Sequence, residues 1–93
     1  MRKWIQPLIF RNPPVKLTVK LYGTLSRPFG DYDHGVGLGV SFTQKASIRD
    51  LLVHLNLIPK GIGMIFMDGV SVKMNTRLKE GARIKIFQPI FGG

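Results

Sequence analysis

The strict alternation of apolar and polar residues at positions 15–21 is the sequence feature that most constrains this fold. The apolar positions of this stretch are Val15, Leu17, Val19 and Leu21. Lys16, Thr18 and Lys20 separate them. A period of two that includes β-branched residues predicts a β-strand with one buried face. Such a strand needs a partner layer, because a half-buried strand cannot hide its apolar side alone.

A second alternation follows a loop that is rich in turn-forming residues. Its apolar positions are Val36, Leu38, Val40 and Phe42. Small residues lie between them, namely Gly37, Gly39 and Ser41. The pattern predicts a second strand, antiparallel to the first and weakened by its glycines.

The next segment changes to helical spacing. Ser47 followed by Asp50 resembles a capping box, and loss of the Ser47 cap should cost about 1 kcal/mol. The apolar positions of this segment are Ile48, Leu51, Leu52 and Leu55. We therefore predict a helix over residues 48–56 that is ended by Pro59 and Gly61.

Three short strands are predicted after the helix. Residues 64–67 and 70–73 flank Asp68-Gly69, a strong two-residue hairpin signal. Residues 83–87 form the last strand, and Met64 and Met67 are expected to fill the core. The order β-β-α-β-β-β predicts an α+β fold of the ubiquitin-like β-grasp type, a mixed four- to five-stranded sheet packed on one helix.

Size and composition bound what this domain can be. The chain has 93 residues, which suits one domain, and we divide it into an N-terminal extension, 1–14, and a domain, 15–93. The absence of cysteine excludes disulfides and thiolate chemistry. Fourteen Lys and Arg against five Asp and Glu give a net charge of +9. This charge suits an acidic partner, RNA, DNA or an anionic membrane, and a generic solvated basic surface is the alternative.

The N-terminal segment begins like a signal peptide but does not continue as one. Gln6 and Pro7 interrupt its short apolar stretch, and no stretch approaches the roughly 20 apolar residues of a membrane-spanning helix. A cytoplasmic location is expected. Several of its residues are apolar enough to pack on the domain or on a second copy, namely Trp4, Ile5, Leu8, Ile9 and Phe10.

The sequence ends in Phe87-Gln-Pro-Ile-Phe-Gly-Gly93, which runs from a core strand into two glycines. Together with Ser47-Ile-Arg-Asp-Leu-Leu52, Met67-Asp-Gly69 and Leu78-Lys-Glu-Gly81, this ending resembles the MoaD/ThiS family of ubiquitin-like sulfur-carrier proteins. The resemblance covers residues 15–93. An unimportant frayed end is the alternative interpretation of the glycines.

The resemblance implies a carrier whose chemistry lies in its partners. An E1-like adenylyltransferase would adenylate Gly93, and a sulfur donor would convert it to a thiocarboxylate. The carrier would then give sulfide to an acceptor enzyme of cofactor biosynthesis, most plausibly molybdopterin-type. Gly92 would line the partner's narrow channel, where the absence of a Cβ atom helps. The chain itself would be a cosubstrate that needs no cofactor or metal.

The same alternation predicts a docking face on the side of the sheet away from the helix. Its basic residues would be Lys16, Lys20, Arg83 and Lys85. Phe87 would be exposed near the base of residues 88–93, although it could instead be an edge-of-core phenylalanine. Three further residues are expected at the partner surface: Pro89, which stiffens the exit, Ile90, and Phe91, whose bulk would either need a wider channel or fill a specific pocket. Gln88 stands where the family commonly has proline.

Two rival functions remain open on the sequence alone. A protein modifier would use the same adenylated Gly93 but link it to lysines of other proteins. A nucleic-acid-binding module would need two or three exposed aromatics on the basic face, and the sequence offers only Phe87 and Tyr22, so neither a nucleic-acid partner nor a membrane is expected. The segment Asp31-Tyr-Asp-His34 could hold a metal but is more simply a turn, and His54 is expected to be partly exposed.

Overall fold

The computed structural model describes residues 14–90 of the chain. It contains five strands and one α-helix, in the order β1 (Val15–Leu21), β2 (Leu38–Phe42), α1 (Ile48–His54), β3 (Ile65–Met67), β4 (Val70–Ser71) and β5 (Arg83–Ile86). Two short 3-10 turns, Gly23–Ser26 and Pro59–Gly61, follow β1 and α1. Within residues 14–90, no helix is both long and apolar enough to cross a bilayer.

The strands form one mixed sheet in the order β2-β1-β5-β3-β4. The central pair, β1 and β5, is parallel, and every other pair is antiparallel. Parallel neighbours cannot be joined by a tight turn, so the chain crosses over through α1 before β5 returns beside β1. This is the predicted β-grasp arrangement, with five strands, and the predicted fold class is confirmed.

The core lies between the inner face of the sheet and α1. On the central strands Val19, Ile84 and Ile86 are almost completely buried, with 0 to 1% of their surface exposed. The helix contributes Ile48, Leu51 and Leu52 from the stripe that the sequence predicts. Burying one such aliphatic side chain stabilises the fold by roughly 1.5–3 kcal/mol, so the two layers hold each other together.

Local signals at both ends of α1 explain where the helix begins and ends. At the start, Ser47 and Asp50 form the predicted capping box, in which the Asp50 carboxylate accepts from the Ser47 N–H at 2.8 Å. At the end, Asn56 adopts a left-handed conformation with φ of 59°. The N–H groups of Asn56 and Leu57 then donate to the carbonyls of Val53 and Leu52. This pattern is a Schellman motif.

The Schellman motif corrects the predicted end of the helix. We expected α1 to reach Asn56 and to be stopped by Pro59 and Gly61. Asn56 itself ends the helix, because a left-handed residue turns the chain out of the helical path.

The hairpin between β3 and β4 has the turn that the sequence predicts. Asp68 and Gly69 both have positive φ, 51° and 85°. This combination is typical of a type I′ turn, which matches the twist of the flanking strands. The strands are shorter than predicted, since β3 begins at Ile65 and β4 ends at Ser71.

Two apolar residues lie outside the core, contrary to prediction. Val36 is 68% exposed, because the N–H groups of Val36 and Gly37 both donate to the Asp33 carbonyl and close a turn there. Gly37, with φ of 81°, completes the turn, and β2 begins only at Leu38. Met64 is 52% exposed, since it precedes β3 on the side opposite Ile65, whereas Met67 is buried as expected.

Ser47→Ala should lower the free energy of unfolding by about 1 kcal/mol, because the Asp50 N–H at the start of α1 loses its side-chain acceptor. Ser47→Thr keeps a hydroxyl at the cap and is the matched control. Urea unfolding of both variants would check this expectation. Equal midpoints for the alanine and threonine variants would show that the cap contributes nothing.

Candidate functional site

The face of the sheet opposite α1, here called the outer face, carries the predicted basic residues. Arg83 and Lys85 of β5 are exposed, and Lys20 of β1 is half-buried. The strand register pairs Lys20 with Lys85 and Lys85 with Phe66. Lys20, Lys85 and Phe66 therefore form one row across three neighbouring strands.

A shallow hollow of about 750 Å³ lies over this part of the outer face. Lys20, Arg83 and Lys85 line it, together with residues of the two flanking turns, Gly35, Val36, Asp68 and Gly69. Lys16 does not line the hollow, because it lies four positions before Lys20 on β1, a distance of about 13 Å along the strand. The structure thus groups three of the four predicted cations and leaves Lys16 apart from them.

Three aromatic rings continue the outer face toward the end where β5 stops. The Phe87 ring stacks on the Tyr22 ring with centroids 4.3 Å apart and an interplanar angle of 13°. Phe66 packs nearly perpendicular to Phe87 with ring centroids 5.7 Å apart, and His34 packs nearly perpendicular to Tyr22 with centroids 4.8 Å apart. Phe87 is half-buried by these contacts, not fully exposed as predicted. We call Tyr22, Phe66 and Phe87 the aromatic cluster.

The backbone at Phe87 is fixed on one side by the segment that precedes β3. The Phe87 N–H donates to the Met64 carbonyl at 3.0 Å, and the Gly63 N–H donates to the Phe87 carbonyl at 2.7 Å. The next residue, Gln88, donates from its Nε2 atom to the Thr24 hydroxyl. These contacts hold the chain at the point where it leaves the sheet, and we call them the exit clamp.

Two glycines make room for the exit clamp. A Cβ atom on Gly63 would lie 2.5 Å from the Gln88 carbonyl oxygen, which belongs to the backbone and cannot move aside alone. Gly23 has φ of 70° and faces the Gln88 side chain, so a larger residue there would be strained and crowded. The chain can pass between the two loops only because neither position carries a side chain.

An apolar groove of about 600 Å³ lies between the aromatic cluster and the departing chain. Met64, Pro89 and Ile90 line it together with the aromatic cluster. Pro89 is half-buried, whereas Ile90 is 93% exposed. The described part of the chain therefore leaves the globule at Ile90. Phe91, Gly92 and Gly93, the remaining predicted site residues, lie outside the described residues.

Comparison with protein-family models identifies the family of this chain. The model of the ThiS family matches residues 29–93, which is most of the chain and includes the final glycines. This chain belongs to the ThiS family. The resemblance to ubiquitin-like sulfur carriers that the motifs indicate is thereby confirmed. Members of the ThiS/MoaD group are small carrier subunits.

Solved structures with the same fold extend the comparison to β1, which precedes the matched segment. A Pyrococcus furiosus protein assigned as molybdopterin converting factor, subunit 1, has a TM-score of 0.62 at 21% identity, covering 82% of this chain and 99% of that one. SAMP1 from Haloferax volcanii has a TM-score of 0.63 at 18% identity, covering 84% and 99%. The Haloferax volcanii HVO 2177 protein has a TM-score of 0.69 at 18% identity, covering 86% and 88%. No curated protein sequence matches the chain.

The structure adds functional candidates that sequence reasoning missed in this ThiS-family chain. Phe66 belongs to the aromatic cluster, and Thr24 holds Gln88 in the exit clamp. Phe66 could have been found by extending the period of two to β3, since Ile65 and Met67 are buried. The Thr24–Gln88 contact joins residues 64 positions apart and leaves no local signal.

The Asp31-Tyr-Asp-His34 segment has a structural role in the loop after β1. The Asp33 carboxylate accepts from the Gly35 N–H at 2.8 Å, and the Tyr32 hydroxyl accepts from the Leu21 N–H at 2.8 Å. Among residues 14–90, no group of three His, Asp or Glu side chains could hold a metal ion. His54 is exposed, and its ring contacts Phe42.

Gly63→Ala should destabilise the fold by about 1–3 kcal/mol, because its Cβ would press on the Gln88 carbonyl of the exit clamp. Gly61→Ala is the matched control, since a Cβ at that position meets nothing within 4 Å. Chemical denaturation would give the two stabilities, and amide chemical shifts of Phe87 and Gln88 would report the displacement. Similar stabilities and unchanged shifts in both variants would contradict the exit clamp.

Proposed function

We propose that this protein is a sulfur carrier that works through an activated C-terminal glycine. An E1-like adenylyltransferase would join the Gly93 carboxylate to AMP from ATP with release of pyrophosphate. A donor at the oxidation level of sulfide would then displace AMP and leave a thiocarboxylate. The observation that carries the proposal is the family match, which runs through the exit clamp to Gly92 and Gly93.

The protein would supply geometry while its partners supply the catalysis. A carboxylate is anionic at neutral pH and a poor electrophile, so it needs activation in an enzyme's nucleotide site. The exit clamp fixes the chain up to Gln88, and the five residues that follow can span at most about 17 Å. Gly92 and Gly93 would enter a narrow channel because they carry no side chains.

The aromatic cluster and the basic hollow support docking of a protein partner at the base of this segment. Phe66, Phe87 and Tyr22 offer an apolar anchor beside the apolar groove, and Lys20 and Lys85 offer charge next to it. Interfaces commonly combine an aromatic anchor with a charged rim. We therefore propose that the activating enzyme and the sulfur acceptor both present an acidic surface with an apolar centre.

The same rings argue against nucleobase binding on the outer face. The stacked pair covers one face of Phe87 and one face of Tyr22, and Phe66 packs nearly perpendicular to Phe87. A stacking platform must leave a ring face open to a base. Phe66 adds a third aromatic ring to this face, but it is half-buried and, like Tyr22, packs on Phe87.

We propose an acceptor enzyme of the molybdopterin type, acting in the cytoplasm where ATP is available for adenylation. The support is the shared fold with the Pyrococcus furiosus protein along 99% of that chain. A protein modifier would use the same Gly93 chemistry but end in an amide bond to a lysine. The products of the two functions differ in mass.

Intact mass spectrometry of the chain from its native host tests the proposal. We expect a species heavier by about 16 Da, since sulfur replaces one carboxylate oxygen of Gly93. A variant without Gly93 is the matched control and should show no such species. A ladder of protein conjugates without the heavier species would favour the modifier. The absence of both the heavier species and the conjugates would refute both functions.

The double variant Lys20→Glu/Lys85→Glu should reduce the thiocarboxylate fraction about tenfold, because like charges would meet the acidic partner surface. Lys45→Glu/Arg77→Glu makes the same charge change away from the exit clamp and is the matched control. The measurement is the fraction of the chain that carries the thiocarboxylate when each variant is expressed at a limiting level. An equal loss in both variants would contradict docking through the outer face.

A further inference from the structure

A second group of cations lies at the opposite end of the domain from the exit clamp. Lys45, Arg49 and Arg77 line a cleft of about 350 Å³ together with Ser47 and Asn75, and we call it the basic cleft. All three cationic side chains are exposed. The cleft shares no residue with the hollow on the outer face or with the apolar groove.

Backbone pairing fixes the two walls of the basic cleft. The Arg49 N–H donates to the Met74 carbonyl at 2.9 Å, and the Leu78 N–H donates to the Ala46 carbonyl at 2.8 Å. Ser47 and Arg77 also form an isolated β-bridge. The loop before β5 is therefore joined to the start of α1, and this junction brings Arg77 beside Lys45 and Arg49.

The carboxylate in the basic cleft already accepts hydrogen bonds from Ser47. Asp50 lines the cleft, but its Oδ2 atom accepts from the Ser47 N–H at 2.8 Å and from the Ser47 hydroxyl at 3.1 Å. Three cations thus face one carboxylate that is held in a capping box. The excess positive charge is available to an anionic ligand.

An aromatic surface adjoins the basic cleft. A neighbouring hollow of about 410 Å³ shares Lys45, Ala46 and Asp50 with the cleft, and Phe42, Val53 and His54 also line it. The rings of Phe42 and His54 have centroids 5.4 Å apart at an interplanar angle of 59°. His54 and Val53 are exposed and Phe42 is half-buried, so this hollow combines ring surface with an aliphatic wall.

The basic cleft and this hollow lie far from the chemistry proposed for Gly93. Phe42 pairs with Val15 at the start of β1, whereas Ile86 pairs with Leu21 at its end. The seven residues of β1 separate the two ends by about 20 Å. A ligand bound here would leave the exit clamp free.

We propose that the basic cleft and the adjoining hollow form a binding site for single-stranded nucleic acid. Lys45, Arg49 and Arg77 would contact successive phosphates, and a base would stack on the exposed ring of His54. Cations along the backbone beside an aromatic surface are the combination by which proteins bind single strands without sequence readout. The site is independent of the sulfur-carrier proposal.

The composition of the basic cleft suits phosphates. The cleft itself is lined by charged and polar side chains and by Ala46, and its aromatic and aliphatic surface lies in the adjoining hollow. Arginine donors match phosphate oxygens in a two-point geometry, and two of the three cations are arginines. Both features are typical of backbone recognition in nucleic-acid complexes.

Fluorescence anisotropy with labelled oligouridylate and oligothymidylate of 12 nucleotides tests the site. Three phosphate contacts predict an affinity loss of about 20-fold between 50 and 200 mM salt for a single strand. The triple variant Lys45→Ala/Arg49→Ala/Arg77→Ala should reduce the salt slope by about 2. Lys20→Ala/Arg83→Ala/Lys85→Ala removes the same charge from the outer face and should keep the slope.

His54→Ala separates stacking from charge. It should weaken binding about fivefold or more at both salt concentrations while leaving the salt slope unchanged. Circular dichroism melts check that every variant is folded. If the triple variant unfolds, Arg77→Gln replaces it, with an expected slope change of about 0.7.

Two results would overturn the proposal directly: an equal loss of the salt slope in both triple variants, or no oligonucleotide binding at 50 mM salt. Labelled polyglutamate that binds as tightly as the oligonucleotides would also overturn it, because an acidic protein would then be the ligand. Tighter binding of the uridylate strand would support the site with RNA as its ligand. Tighter binding of the thymidylate strand would support the site with DNA as its ligand. Removal of Gly93 should leave oligonucleotide binding unchanged. The test therefore fails or succeeds separately from the sulfur-carrier proposal.

Discussion

The parallel pairing of β1 with β5 is the interaction on which the rest of the structure depends. It places Val19 beside Ile84 in the core, and the same register sets Lys20 beside Lys85 on the outer face. Two residues beyond Lys20 and Lys85, the rings of Tyr22 and Phe87 stack where both strands end. A slip of one residue would move every one of these side chains to the other face. The core and the surface beside the exit clamp are therefore specified by a single alignment of two strands that lie far apart in sequence.

The acidic and basic side chains have different roles in this domain. The chain has five Asp and Glu residues, and four of them accept hydrogen bonds from backbone N–H groups, namely Asp33, Asp50, Asp68 and Glu80. These carboxylates fix turns, a helix start and a strand end. The larger number of Lys and Arg side chains can then serve binding, and the described ones include two separate groups, one over the outer face and one in the basic cleft. The net charge of +9 is thus the combined property of surfaces that we expect to have different ligands.

Local sequence signals predicted most of the fold, because strand alternation, the Ser47–Asp50 pair and Asp68-Gly69 each act over a few residues. They failed where a backbone conformation overrides side-chain pattern. Gly37 and Asn56, both with positive φ, shortened the predicted strand and helix. At the candidate site, alternation placed Lys20, Arg83 and Lys85 on the correct face. Alternation could not reveal the Thr24–Gln88 contact, nor that Arg77 and Lys45 line the same cleft. Both features depend on how distant loops meet.

The exit clamp has a mechanical consequence. Phe87 continues directly from β5, a strand flanked on both sides by hydrogen-bonded neighbours. A pull applied through Ile90 along the strand axis would load those bonds together in shear, not one after another as in unzipping. We expect a domain built this way to resist forced extraction from its C-terminal side, so that an enzyme could grip the exposed end firmly without unravelling the body behind it.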